Sequence, residues 1–225
     1  RESISKCLKN PNVIQNENLP FMGVIEADLL NNIPCRIARI SFSGEIAFEI
    51  YVKSDYAEDM MDMLWGEAQL FDGCLYGLEA LGALRIEKGH VTGAELDGRV
   101  TIDDAGLGKM ASSKKSYIGS SMRKRGVLNN ENREKLVGIF PKNKNEIFDA
   151  GSIICEPSDV SGFGVGRITS VTHSPELGHW IGLGFISGGY KECKEKIFIA
   201  SDPIRNKNTE VEIVSPHMID PEGRR

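Results

Sequence analysis

From Glu131 onward the sequence is built of short β-like runs, and this constrains the fold more than any other feature. The runs are 135–140, 153–155, 164–171, 180–186, 196–200 and 209–214, and each is bounded by Gly, Pro, Asn or Asp. Strands this short, punctuated this regularly, belong to an antiparallel sandwich or barrel, because each must return across the sheet through a tight turn. The polar stretch at 129–133 reads as a linker into this half. We expect an α+β organisation, with a mixed lobe over 1–128 and an all-β domain over 134–225.

The first half carries two kinds of signal. Arg36 to Val52 holds two apolar, strand-like runs joined at Ser43-Gly44-Glu45, a hairpin pattern. In the second run Ile46, Phe48, Ile50 and Val52 share one face by the period of two, and Ala47, Glu49 and Tyr51 share the other. Glu49 is therefore a carboxylate in the middle of an apolar strand, which must stay wet, be paired or hold a ligand. Leu19–Ile25 is expected as a further short strand.

Two helices follow. One opens at Ser54-Asp55, with Asp55 and Glu58 spaced as a capping pair, and carries Tyr56, Met60, Leu64 and Ala68 at helical intervals through Gln69. The other fits Gly77 to Lys88, with Leu78, Leu81, Leu84 and Ile86 inward and Gly89 as its stop. Arg85 lies among those leucines; if buried it needs a partner, and Glu87 or the carboxylates of a ligand are candidates. Residues 98–126 read as loop, a short helix and a Lys-rich surface, with Asp103 and Asp104 as helix-capping acids.

Bulk properties narrow the function. A net charge of −5 over 225 residues argues against a nucleic-acid surface. No apolar run of about 18 residues suggests a membrane span. The five cysteines (Cys7, Cys35, Cys74, Cys155, Cys193) are scattered and odd in number, which suits a reducing cytoplasm better than a disulfide framework or zinc site. The four histidines are equally dispersed; His173, in an expected loop, is a candidate interface residue. No metal site is read.

Several stretches together resemble the folate-binding aminomethyltransferase family, to which the glycine-cleavage T-protein belongs. They are Ser41-Phe-Ser-Gly-Glu-Ile-Ala-Phe-Glu-Ile50, Gly77-Leu-Glu-Ala-Leu-Gly-Ala-Leu-Arg-Ile-Glu-Lys-Gly89, Gly93-Ala-Glu-Leu-Asp97, Gly106-Leu-Gly108 with Lys115-Ser-Tyr-Ile-Gly119, and Gly166-Arg-Ile-Thr-Ser170. The run Glu79 to Arg99 looks most like the branch formed by the α subunits of heterotetrameric sarcosine oxidases. The resemblance implies a partial ferredoxin-like folate-binding lobe followed by a C-terminal antiparallel β-barrel. It further implies that Glu49 anchors the pterin of tetrahydrofolate, that Phe42 packs near it, and that Arg85 contributes to the folate site. Leu81 stands where the aminomethyltransferases proper carry an extra arginine for the glutamyl tail.

In that branch the folate lobe captures, as 5,10-methylenetetrahydrofolate, the one-carbon unit released by flavin-dependent demethylation of sarcosine. The resemblance therefore implies partner subunits (β, γ and δ), FMN at an α–β interface, and FAD and NAD elsewhere in the complex. Since the chain opens on Arg1 rather than Met, it is expected to be a piece starting inside the lobe, with the catalytic aspartate upstream and no complete active site of its own. The alternatives are a stand-alone aminomethyltransferase and a non-catalytic scaffold on the same fold.

Overall fold

The computed structural model describes residues 1–160 and 162–223. The chain divides into two compact units, 1–81 with 223, and 82–222.

In the first unit a three-stranded antiparallel sheet is ordered β1 (Val24–Leu29), β2 (Ile33–Ala38), β3 (Glu49–Tyr51). One face is apolar by alternation: Ile33, Cys35 and Ile37 of β2 are buried, and Ile50 of β3 packs with them. Helices α1 (Glu2–Lys6) and α2 (Ala57–Gln69) cover that face, contributing Ile4, Met60, Met63 and Leu64. The other face, with Arg36, Glu49 and Tyr51, is exposed. Cys7 and Cys35 are free thiols on the covered side, and burial pushes both thiols up from their ordinary range.

The expected hairpin forms, but with a longer loop than its glycine suggests. The pairing runs from Arg36 opposite Tyr51 to Ala38 opposite Glu49, so residues 39–48 loop out and Ile46 is exposed. Within that loop Gly44 sits at φ +90°, a conformation that suits glycine, and donates its N–H to Ser41 Oγ at 2.9 Å. The early strand also differs from expectation. Leu19 is fully buried in an irregular segment, and β1 begins only at Val24. Helix α2 ends at Gln69 as anticipated, but it is entered through a 3₁₀ turn at Ser54–Tyr56, and no side-chain cap bond forms at either start.

In the second unit six strands close a barrel, all expected from the turn spacing: β4 (Glu134–Pro141), β5 (Ile153–Cys155), β6 (Gly166–Ser174), β7 (His179–Ser187), β8 (Ile197–Asp202) and β9 (Lys207–Val214). The order is β4-β7-β6-β5-β8-β9, and β9 pairs back onto β4. Every strand sends side chains inward: Val137, Ile139, Ile154, Ile168, Ile186, Phe198, Ala200, Val211 and Ile213, with Phe148 from a loop.

A second apolar cluster lies on the outer wall, where Leu136, Ile181, Leu183 and Phe185 meet Ile86 of α3 (Leu78–Lys88). Strand β7 is thus covered on both faces, which explains its near-continuous apolar sequence. Burial on α3 is concentrated in Arg85, Ile86 and Glu87. Leu78, expected inward, is 87% exposed, because the outer cluster touches only the last turns of the helix. Gly89 stops α3 at φ +77°, with His90 N–H donating to Arg85 O at 2.9 Å; a Cβ there would press on the Pro216 backbone.

His173 lies on β6 rather than in a loop, exposed, with its ring edge-to-face against Trp180. Asp103 and Asp104 do not cap a helix. Thr101 N–H donates to Asp104 Oδ2 at 2.8 Å and Asp104 N–H to Thr101 Oγ1 at 3.2 Å, the reciprocal bonds of a capping box, yet the chain goes on as turns. The turn stops at Gly106, whose φ of +75° is the left-handed conformation of a helix end, while the Arg133 guanidinium grips the buried Asp104 carboxylate at 2.6–3.1 Å and ties the turn to the start of the barrel. No helix among the described residues is long and apolar enough to cross a membrane.

Candidate functional site

Glu49 is placed by β3 on the open face of the small sheet. Its neighbour two residues on, Tyr51, lies on the same face and donates its phenol O–H to Glu49 Oε2. The bond raises the Tyr51 pKa, since a phenolate would lose the donor and face the carboxylate. Glu49 Oε1 accepts no hydrogen bond among the described residues, so the carboxylate presents one free oxygen and one oriented by a phenol. Across the sheet Arg36 pairs with Glu26 at 3.3 Å. Beside Glu49 lies an open cleft of about 660 Å³, lined by Glu26, Asp28, Arg36, Tyr51 and Lys53 among others; neither Glu49 nor Phe42 lines it. Phe42 sits in the β2–β3 loop, 41% exposed.

Such a face can receive a flat, polar heterocycle. A carboxylate accepts two N–H bonds side by side from one ring edge, and exposed aromatic rings offer stacking surface.

Arg85 belongs to the second unit and is 8% exposed. Its partner is Glu95, not the expected Glu87: Nη1 donates to Glu95 Oε2 at 3.0 Å and to His90 O at 3.3 Å, and Nη2 donates to Ser170 Oγ at 2.7 Å. Glu95 is fully buried and accepts four further bonds, from Thr92 N–H (2.9 Å), Thr92 Oγ1 (3.2 Å), Thr169 Oγ1 (2.7 Å) and Ser170 Oγ (2.5 Å). Burial alone would push this carboxyl up. The bonds from Ser170, Thr169 and Thr92 and the Arg85 charge outweigh it, and the group sits below the ordinary range. Glu87 instead accepts from Ser174 Oγ.

Two adjacent hydroxyls reach one carboxylate because β6 carries a bulge. Ile168 pairs with Gly184 and Ser170 with Leu183, so Thr169 is an extra residue in the ladder. In a regular strand, residues 169 and 170 would face opposite ways; the bulge re-aims them together. Glu95, Thr169 and Ser170 were not singled out from the sequence. Gly93–Asp97 and Gly166–Ser170 were both legible as motifs, but nothing in their spacing shows that they meet.

Comparison with known proteins places these observations. The family model for the GCVT N-terminal domain matches residues 1–115, and that for the glycine cleavage T-protein C-terminal barrel domain matches residues 134–220. The sarcosine oxidase subunit alpha of Rhizobium meliloti (strain 1021) is 34% identical over 217 residues, covering 94% of this chain and 22% of that protein. Its counterpart in Corynebacterium sp. (strain U-96) is 31% identical over 230 residues, covering 100% of this chain and 23% of that one. The aminomethyltransferase of Bacillus subtilis (strain 168) is 29% identical over 204 residues, covering 87% and 52%. Among solved structures, the glycine cleavage system aminomethyltransferase T from Bartonella henselae superimposes with a TM-score of 0.74 at 22% identity, over 92% of this chain and 54% of that one, which establishes likeness of fold. The chain thus spans about a fifth of the length of the sarcosine oxidase subunits it matches.

Proposed function

We infer the function from the premise that this chain belongs to the glycine cleavage T-protein family: it is the folate-binding region of a sarcosine oxidase α-type subunit. The observation that carries this reading is coverage. The sarcosine oxidase subunits align with 94–100% of the chain, and the aminomethyltransferases with 68–87%.

In this reading tetrahydrofolate is the substrate that accepts the one-carbon unit released when a flavin-dependent partner demethylates sarcosine. Glu49 accepts hydrogen bonds from the pterin edge, Tyr51 orients the carboxylate by its O–H bond, and Phe42 packs beside the ring. Arg85 enters the proposal at one remove, fixing Glu95 and the β6 bulge behind the outer wall of the barrel. The β, γ and δ partners, with FMN, FAD and NAD, belong to the same proposal.

The test is titration of the full chain with folinic acid, alongside Glu49→Ala and Tyr51→Phe. Saturable binding is expected, weakened about tenfold or more by loss of the carboxylate, which removes charge-assisted bonds, and less by loss of the phenol. Binding that survives Glu49→Ala removes the anchor assignment. A wild-type chain that binds no folate removes the whole reading and leaves a scaffold on this fold.

A further inference from the structure

Between the buried Asp104 turn and the barrel lies a Ser- and Lys-rich segment that the folate reading leaves unused. It folds around a cleft of about 690 Å³, lined by Asp103, residues 112–117, Ser120, Arg123, Lys124 and Asn129, wholly within the second unit. Its charge is one-sided. The single acid of the lining, Asp103, is consumed by Arg123, which holds it with Nε at 2.5 Å and Nη2 at 2.7 Å. Lys114, Lys115 and Lys124 form no ion pair among the described residues. Three uncompensated cations therefore share one concavity on a chain whose net charge is −5.

The neutral donors agree. Ser112 Oγ accepts from the N–H groups of Lys114 (3.1 Å) and Lys115 (3.3 Å), which turns the segment and leaves its own hydroxyl proton to donate outward. Ser113, Ser116 and Ser120 add three more hydroxyls, and the half-buried Tyr117 ring forms one wall.

We propose that this cleft binds a phosphate monoester, the anionic end of a phosphorylated small molecule. Ammonium groups and hydroxyls approaching from several directions suit a compact oxyanion of charge near −2 with three acceptor oxygens. A carboxylate would be better served by a guanidinium fork, and the one fork in the cleft is already occupied by Asp103. The volume falls in the range of small-ligand sites.

Isothermal titration of the full chain in a phosphate-free buffer tests this, with inorganic phosphate, adenosine 5′-monophosphate and triglutamate as probes. The expected result is saturable binding of phosphate or the monophosphate, weakened as salt is raised. In Lys114→Ala/Lys115→Ala and in Lys124→Ala it should weaken by about tenfold per lysine removed, and in Lys191→Ala it should be unchanged. The three lysines are exposed, so their removal leaves the fold intact, which a melting curve checks. Absence of saturable binding, or affinity indifferent to the cleft lysines, overturns the proposal. Triglutamate bound as tightly as the phosphates also overturns it.

Discussion

Replacing Arg85 by alanine strands a carboxylate that has no access to water. Removing one partner of a buried ion pair typically costs about 3–5 kcal/mol, because the other charge stays desolvated. Glu95 would keep four donors, from Thr92, Thr169 and Ser170, which places Arg85→Ala near the lower end, at about 3 kcal/mol. Arg85→Lys retains the charge but not the fork that reaches Ser170 and the His90 carbonyl, and should cost about 1–2 kcal/mol. In the double variant Arg85→Met/Glu95→Gln no charge is left behind, so its cost should fall short of the sum of the singles by at least about 1 kcal/mol. The assay is urea unfolding followed by the fluorescence of Trp180 on β7, in a Trp65→Phe background so that only the barrel unit is read. An Arg85→Ala variant within about 1 kcal/mol of its parent, or a strictly additive double variant, would refute the claim that Arg85 serves chiefly to neutralise Glu95.

The same carboxylates set an acid limit. Glu95 and Asp104 are both held below their ordinary values of 4.5 and 3.8, so the unfolded chain binds protons that the folded one refuses; their stabilisation is complete above about pH 5, begins to decline as the pH falls below those ordinary values, and is lost as the pH passes down through the lower folded-state ones. Stability against urea should therefore decline below pH 4.5 in the parent and decline less steeply in Glu95→Gln. In the barrel interior, a Cβ at Gly182 would meet the Phe148 ring at 2.8 Å and the Ser170 carbonyl oxygen at 2.9 Å. Gly182→Ala should thus cost about 1–3 kcal/mol through overpacking, and Phe148→Leu should be less damaging in that background than in the parent, as thermal unfolding of the four proteins would show.

What could be read in advance, and what could not, follows from the range of the forces involved. The six barrel strands were legible because strand length, alternation and turn residues are local properties, and each strand lies within a few residues of its expected bounds. The same logic overreached at Leu78, whose helical spacing is right but whose turn meets no apolar neighbour in the outer cluster. It overreached again at Thr101–Asp104, where the local hydrogen bonds of a helix start form but Gly106, at φ +75°, ends the turn after one round. Arg85 was recognised as needing a partner, yet the partner lies ten residues on and is shared with hydroxyls more than 70 residues away. Only the fold brings those groups together. The face bearing Glu49 was assigned correctly by period-two alternation, whereas the point at which the loop becomes strand depended on Ala38 pairing with Glu49.

The inserted Thr169 also acts as a key cut to one lock. Sliding β6 by a single position against β7 would turn one of its two hydroxyls away from Glu95 and leave a buried anion short of a donor. The closed sheet is thereby held to one alignment by an irregularity within it, and an insertion or deletion in this strand should be tolerated far less well than one in the connecting turns.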